Sequence, residues 1–301
     1  MSSLTLALTA FELRAERTVA DYLEHTDTLT AQAAVQGAGV IVFPELASTG
    51  LLASAPGMVT SAAISRAYWE HLTSLTDEIV AGHAEQARRH GITVLAGSHN
   101  HLASDGTLRN TAFLVHPDGS VETQDKIHLT PQEHQLGTTG GDSLLVTKVG
   151  PFTAAILICA DVQFPELARH LVERGVELIF CPSLTWNRRG IHRVRTGALA
   201  RAMENQLYVA MSPLVGSSGL PTDAPMHAVG TPFVAAPVDK TFGYNDGILA
   251  AGDLSTDGLL LATVDRQQLL ASRARPEVPG LALRRPELYG RLAASVDGPR
   301  S

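Results

Sequence analysis

Short apolar runs, separated by polar segments that carry glycine and proline, recur along this 301-residue chain. Leu4-Thr5-Leu6-Ala7-Leu8 reads as a first strand. Val40-Ile41-Val42-Phe43 reads as a second, stopped by Pro44, which cannot donate to a ladder. Further strands are predicted over 92–97, 111–116, 144–148, 152–158, 178–180, 207–211 and 259–264. Helical spacing of apolar residues predicts helices over 17–36, 64–90, 165–174 and 192–205, the second of them stopped by Gly91. The Gly-, Ser- and Pro-rich stretch 216–225 and the stretch 237–247 read as loops. Strands mixed with helices in this way, with no linker, internal repeat or heptad tract, predict one layered α/β domain over 1–272. From Arg273 onward Pro276, Pro279 and Pro286 punctuate a C-terminal extension, 273–301, expected to wrap the surface or reach toward a partner.

Chemistry-bearing residues stand where three of these strands end. Glu45 follows the Val40 run, and Lys126 follows an extended segment that begins after the turn signal Pro117-Asp118-Gly119. Cys159 ends the run Thr153-Ala154-Ala155-Ile156-Leu157-Ile158, just before Phe164-Pro165-Glu166-Leu167 opens a helix. A thiol at a helix start beside a cation is expected to have a lowered pKa and to become a nucleophile. The plainer alternative for Cys159 is a small core hydrophobe, as most free cysteines are. For Glu45 and Lys126 it is a solvated surface charge. Loops held by a rigid sheet are where catalytic side chains collect, which favours reading the three together.

At this point the chain resembles the nitrilase, or carbon-nitrogen hydrolase, superfamily. The matching pieces are Phe43-Pro44-Glu45-Leu46, Lys126-Ile127-His128-Leu129 with Pro131 and Glu133, Cys159-Ala160-Asp161 with Phe164-Pro165-Glu166-Leu167, and Arg201-Ala202-Met203-Glu204-Asn205. The resemblance implies a four-layer α-β-β-α sandwich, packed as a homodimer or larger assembly. It also implies a thiol-dependent amidohydrolase in which Cys159 attacks an amide carbonyl, Glu45 is the general base and then acid, and Lys126 with the backbone N–H of Ala160 stabilises the oxyanion. Glu133 matches a further family glutamate that orients Lys126, although its neighbours His134 and Gln135 also fit an exposed polar turn. After the nucleophile, nitrilases usually carry Trp-Glu and amidase-like members an aromatic residue before Asp. Asp161 therefore favours amide hydrolysis, whereas Ala160 departs from both patterns and leaves more room beside the thiol.

Composition narrows the partners. With 23 Lys plus Arg against 30 Asp plus Glu the formal net charge is −7, which disfavours nonspecific binding to nucleic acid or anionic lipid and favours a small-molecule substrate. No basic start followed by a long apolar core opens the chain, and no apolar stretch approaches the roughly 18 residues a membrane span needs, so a cytoplasmic protein is expected. Two cysteines, each after a strand-like run, fit a reducing compartment, with Cys181 a structural or pocket-wall residue.

Other motifs weigh less. His99, His101, His128 and His134 make a metal hydrolase conceivable, but they read as polar-loop histidines, which are more often solvated than ligating, no His-Glu-x-x-His occurs, and the trio needs neither metal nor cofactor. Gly216-Ser217-Ser218-Gly219 lacks the spacing of a serine-hydrolase elbow. Arg188, Arg189, Arg193 and Arg195 either hold a substrate carboxylate or form a solvated helix start, and Arg201 with Glu204 reads as a structural pair. Two alternatives to amide hydrolysis stay open: hydrolysis of a nitrile or an N-carbamoyl amine, and a noncatalytic binding module on the same scaffold.

Overall fold

Strand β1 (Ser3–Glu12) is the hinge on which two halves of one sheet fold together. The computed structural model describes residues 2–57, 66–217, 227–253 and 256–294. On one side, Leu6 to Leu8 pair in parallel with β2 (Val40–Val42), and the ladder continues through β3 (Thr93–Leu102), β4 (Leu108–Val115) and β5 (Val121–Asp125). At its far end β1 instead pairs, at Phe11 and Glu12, with Leu214 and Val215 of β9 (Tyr208–Ser217). From β9 the ladder runs through β8 (Leu178–Ser183) and β7 (Phe152–Ile156) to β6 (Thr147–Val149). Late strand β13 (Gly258–Asp265) returns antiparallel to β1, while β11 (Phe233–Ala235) joins β9 to β12 (Ile248–Ala251) and β10 (His227–Ala228) extends β9.

Side-chain alternation along these strands creates the layers. Val40 and Val42 enter the core shared with Phe152, Ile156 and Phe180, whereas Ile41 enters a second core with Phe11 and Val94. That second core is closed by α1 (Val19–Val35) and α2 (Thr76–His90), through Tyr22, Leu29, Ile79 and Ala87. On the opposite outer face α4 (Pro165–Glu173) and α5 (Arg188–Asn205) bury Ala168, Leu171, Val194 and Ala198. The result is helices, sheet, sheet, helices, the four-layer sandwich expected from the sequence. Helix α1 starts where Thr18 and Asp21 form a reciprocal capping box, worth about 1 kcal/mol.

Several elements differ from the sequence reading for identifiable reasons. The helix predicted over 64–90 begins as α2 only at Thr76, where Asp77 and Glu78 occupy the first turn. Ala67–His71 and Leu72–Leu75 form short irregular turns before it, and 58–65 lie outside the described residues. Strand β9 runs well past 211 even though Pro213 cannot donate, and it takes in Gly216 and Ser217 of the predicted loop. The remainder of that loop, 218–225, lies outside the described residues. His99-Asn100-His101 is strand, not polar loop. His99 is buried, its Nε2 faces the Leu72 carbonyl at 2.9 Å and its Nδ1 faces Ser48 Oγ, and burial pushes its pKa down to about 4. Both nitrogens are taken, and the ring is a neutral core group, not a metal ligand.

Beyond β13, α6 (Arg266–Ala274) and α7 (Pro286–Ala294) complete the described chain. Arg273 donates to the carbonyls of Gln206 and Val176, and Arg284 pairs with Glu173 at 2.5 Å.

Candidate active site

Strands β2, β7 and β8 are parallel to β1 or β9, and two antiparallel steps from β3 restore that direction in β5. Their carboxyl ends therefore gather at one edge of the sandwich, where open α/β sheets bind ligands. Glu45, Lys126, Cys159 and Leu184 all lie just beyond these ends.

The Glu45 turn is built by its neighbours. Phe43 still donates to the Leu95 carbonyl, and the Pro44 carbonyl accepts from Ser98 N at 3.2 Å. Leu46 has φ 52°, a left-handed conformation held by Ser98 Oγ accepting its N–H at 3.0 Å. Gly97 passes beneath with φ +73°, and a Cβ there would lie 2.0 Å from the Pro44 carbonyl oxygen, so only glycine fits. Cys159 is the other left-handed non-glycine residue at this edge, with φ 47°. It opens a tight turn, Cys159–Gln163, and α4 starts only at Pro165. The expectation of a thiol on an α-helix N-terminus is corrected accordingly.

Around Lys126 the polar contacts are short. Its Nζ donates to Glu45 Oε1 at 2.6 Å and to Glu133 Oε2 at 2.7 Å, and only 2% of its surface is exposed. Two of its three N–H groups are used by carboxylates, leaving one for a ligand. Glu133 is buried in α3 (Pro131–Gln135), where it completes a capping box: Glu133 Oε2 accepts from Thr130 N at 2.8 Å, and Thr130 Oγ1 accepts from Glu133 N at 3.4 Å. The alternative of an exposed polar turn is thereby excluded.

Asn110, which sequence reasoning missed, donates its single amide nitrogen to Glu45 Oε1 at 3.0 Å and Glu133 Oε1 at 2.8 Å. Its Oδ1 is buried without a hydrogen-bond partner among the described residues, so the two carboxylates set the amide's orientation. No motif marks it, and only its place in β4 beside the Lys126 exit gives it this position.

These contacts make the two carboxylates unequal. Glu133 accepts from Lys126, Asn110 and both Thr130 donors, which outweigh its burial and hold it below the usual carboxylate range. Glu45 accepts from Lys126, Asn110, the Cys159 thiol, and Leu184 N to its Oε2 at 3.0 Å. Burial wins there and its pKa rises, the attraction of Lys126 notwithstanding. Lys126 would be lowered by burial, but Glu45, Cys159 and Glu133 raise it, and it stays protonated. The Cys159 sulfur, 3.5 Å from the Leu184 carbonyl, is lifted well above the ordinary thiol range, first by burial and then by Glu45. The resting group is a thiol, not the thiolate expected from the sequence, with a carboxylate of raised proton affinity beside it.

Arg188, Arg189 and Arg193 are exposed at the start of α5, and Arg195 lies over the Phe233 ring at 5.3 Å. Arg201 Nε pairs with Glu204 at 2.7 Å, as expected. Cys181 is fully buried, with Ser183 Oγ 3.5 Å away, and its thiol is pushed up to about 12 by burial. No helix among the described residues is long and apolar enough to cross a membrane.

Comparison with known proteins gives the family and the fold. The carbon-nitrogen hydrolase family profile matches residues 10–274. The probable hydrolase YhcX of Bacillus subtilis is 33% identical over 250 residues, which are 82% of this chain but 47% of that protein, so the chain spans about half of that relative's length. Omega-amidase NIT2 of Danio rerio is 27% identical over 299 residues, covering 96% of this chain and 97% of that one. An amidase from Nesterenkonia sp. AN1, solved in complex with acrylamide as a double mutant, superposes with a TM-score of 0.74 over 97% of this chain and 98% of its own at 22% identity, a likeness of fold. From the match to the family profile across most of its length, the chain belongs to the carbon-nitrogen hydrolase family.

Proposed function

We propose that this chain hydrolyses the carbon–nitrogen bond of a small linear amide through a thioester on Cys159, with Glu45 and Lys126 as its partners. The observation that carries this reading is one buried ammonium, 2.6 Å from Glu45 and 2.7 Å from Glu133, at the strand edge that also presents the Cys159 thiol.

The proton inventory suits the chemistry. Glu45 takes the thiol proton as sulfur attacks the carbonyl carbon, which its raised pKa favours. The developing oxyanion accepts from the remaining N–H of Lys126 and from the backbone N–H of Ala160. Each such donor is worth ~10²–10³ in rate. Glu45 then gives its proton to the leaving nitrogen, ammonia or an amine departs, and a water deprotonated by Glu45 opens the thioester. Glu133, held ionised, keeps Lys126 charged and oriented without competing as the base.

Amidase names among the relatives support the choice of amides. They include omega-amidase NIT2 and a 2-oxoglutaramate amidase of Bacillus subtilis, 28% identical over 185 residues. A mutant of the Nesterenkonia amidase carries the acetamide moiety of fluoroacetamide covalently added at its active site cysteine. Asp161 after the nucleophile favours the same branch. The alternatives differ in their products. Matched primary amide, nitrile and N-carbamoyl amine substrates should give rapid release of ammonia with carboxylate from the amide alone. Faster turnover of the nitrile, or carbon dioxide release from the carbamoyl compound, would move the assignment to that reaction. A noncatalytic module would process none of them.

We also propose a homodimer or larger assembly in the cytoplasm, with 273–301 as an extension of the 1–272 domain that contributes to the contact. Val278, Leu283 and Tyr289 of that extension are 70%, 65% and 48% exposed, apolar surface that a partner subunit would cover. Both cysteines are free thiols, which supports a reducing compartment. Light scattering should give at least twice the 31.9 kDa chain mass, and a monomer at micromolar concentration would remove the oligomer.

A further inference from the structure

We propose that Asp161 is a positioning residue that fixes the Lys126 backbone relative to Cys159; the inference rests on the role proposed above for those two groups. Asp161 lies two residues beyond Cys159 in the same tight turn and is 1% exposed. Its Oδ2 accepts from Ile127 N at 3.1 Å and its Oδ1 from His128 N at 2.7 Å, the two backbone N–H groups that follow Lys126. His128 Nδ1 stands 3.1 Å from the same Oδ1, and the imidazole stacks on Phe164 with centroids 3.5 Å apart and 7° between planes. Phe164 N in turn reaches the Asp161 carbonyl at 3.1 Å.

The neighbouring main-chain groups are fixed from the other side. Lys126 N donates to the Asn110 carbonyl and the Lys126 carbonyl accepts from Gly141 N, both at 2.8 Å. Those bonds tie Lys126 to the sheet half that carries β4 and β5, while Asp161 belongs to the other half with Cys159. One carboxylate therefore spans the two halves next to the reacting groups. The Ile127 and His128 N–H groups meet different oxygens of Asp161, and asparagine would turn an NH2 donor toward one of them.

Loss of the brace should let Lys126 drift from the position where the oxyanion forms, and misplacement of about 1 Å is enough for ~10²-fold. Asp161→Asn is expected to lower kcat ~10- to 100-fold with KM within ~3-fold, because the lost interaction matters in the transition state. Lys126 is also what holds the Glu45 pKa down against burial, so the acid limb of kcat/KM should move to higher pH in the variant. A purely structural role would lower the melting temperature and leave kcat and the acid limb of the folded enzyme unchanged, which would overturn the inference, as would a rise in KM with kcat kept. If Asp161→Asn does not fold, Asp161→Glu keeps the charge and both oxygens on a longer arm and should show the same changes to a smaller degree. Rapid-quench mass spectrometry of the Cys159 acyl adduct separates the two levels. No adduct in the wild-type chain defeats the nucleophile assignment, whereas equal acylation rates in wild type and Asp161→Asn defeat the brace alone.

Discussion

Cys159→Ala should fold like the parent chain and lose amide hydrolysis by ~10⁴-fold or more, since removing a covalent nucleophile abolishes the pathway instead of weakening it. The expectation of intact folding follows from local geometry. Cysteine and alanine both carry a Cβ, so the φ of 47° is equally strained in each, and among the described residues the sulfur reaches only the Leu184 backbone carbonyl and the Glu45 carboxylate, which keeps Lys126, Asn110 and Leu184 as donors. Unfolding free energies should agree within about 1 kcal/mol. Turnover by the purified variant at more than a few per cent of wild type would show that another group does the chemistry.

Lys126→Met should be harmful twice over. The substitution keeps the length of the side chain but leaves Glu45 and Glu133 buried, joined through Asn110 and without a counter-charge. Removing one partner of a buried ion cluster typically costs about 3–5 kcal/mol, far more than an exposed pair would. The oxyanion loses its cation as well, so kcat should fall at least ~10²–10³-fold even in protein that remains folded.

The stability loss carries a pH signature. Without Lys126, Glu45, already raised by burial, rises further above its unfolded value of about 4.3. The folded state then binds more protons than the unfolded state between those two values. Its stability is fully present below the unfolded pKa and is lost as pH rises through the folded one. Urea unfolding of Lys126→Met should therefore show a deficit against wild type that is larger at pH 7 than at pH 5. A deficit independent of pH would mean that packing, not charge, explains the loss.

The sequence carried the trio because each member sits at a punctuated strand end, where Pro44, the Pro117-Asp118-Gly119 turn and Pro165 mark the boundary. The layers were legible for a related reason: Val40, Ile41 and Val42 are all apolar, as a strand buried on both faces requires. Four things were not legible. Asn110 and Leu184 act through an amide nitrogen and a backbone N–H, and neither has a spacing that marks it. The thiol's protonation depends on burial and on Glu45, and burial comes from segments over a hundred residues apart, so a local cue such as a nearby helix start gave the wrong sign. The part of β9 beyond 211 hides behind Pro213, and β11 and β12 are too short to show a period. The histidines at 99 and 101 looked like loop residues because a polar run inside a buried strand imitates one.

The central claim is that sulfur, carboxylate and ammonium drawn from three separate strand exits act on one carbonyl carbon, and intact-protein mass spectrometry with peptide mapping tests it most directly. Chain quenched within milliseconds of mixing with a reactive small amide should gain the mass of the acyl group on the peptide that contains Cys159, with one equivalent of ammonia or amine released. Steady turnover of the same amide with no adduct at any time, or with the adduct mapped to a different side chain, would contradict the account.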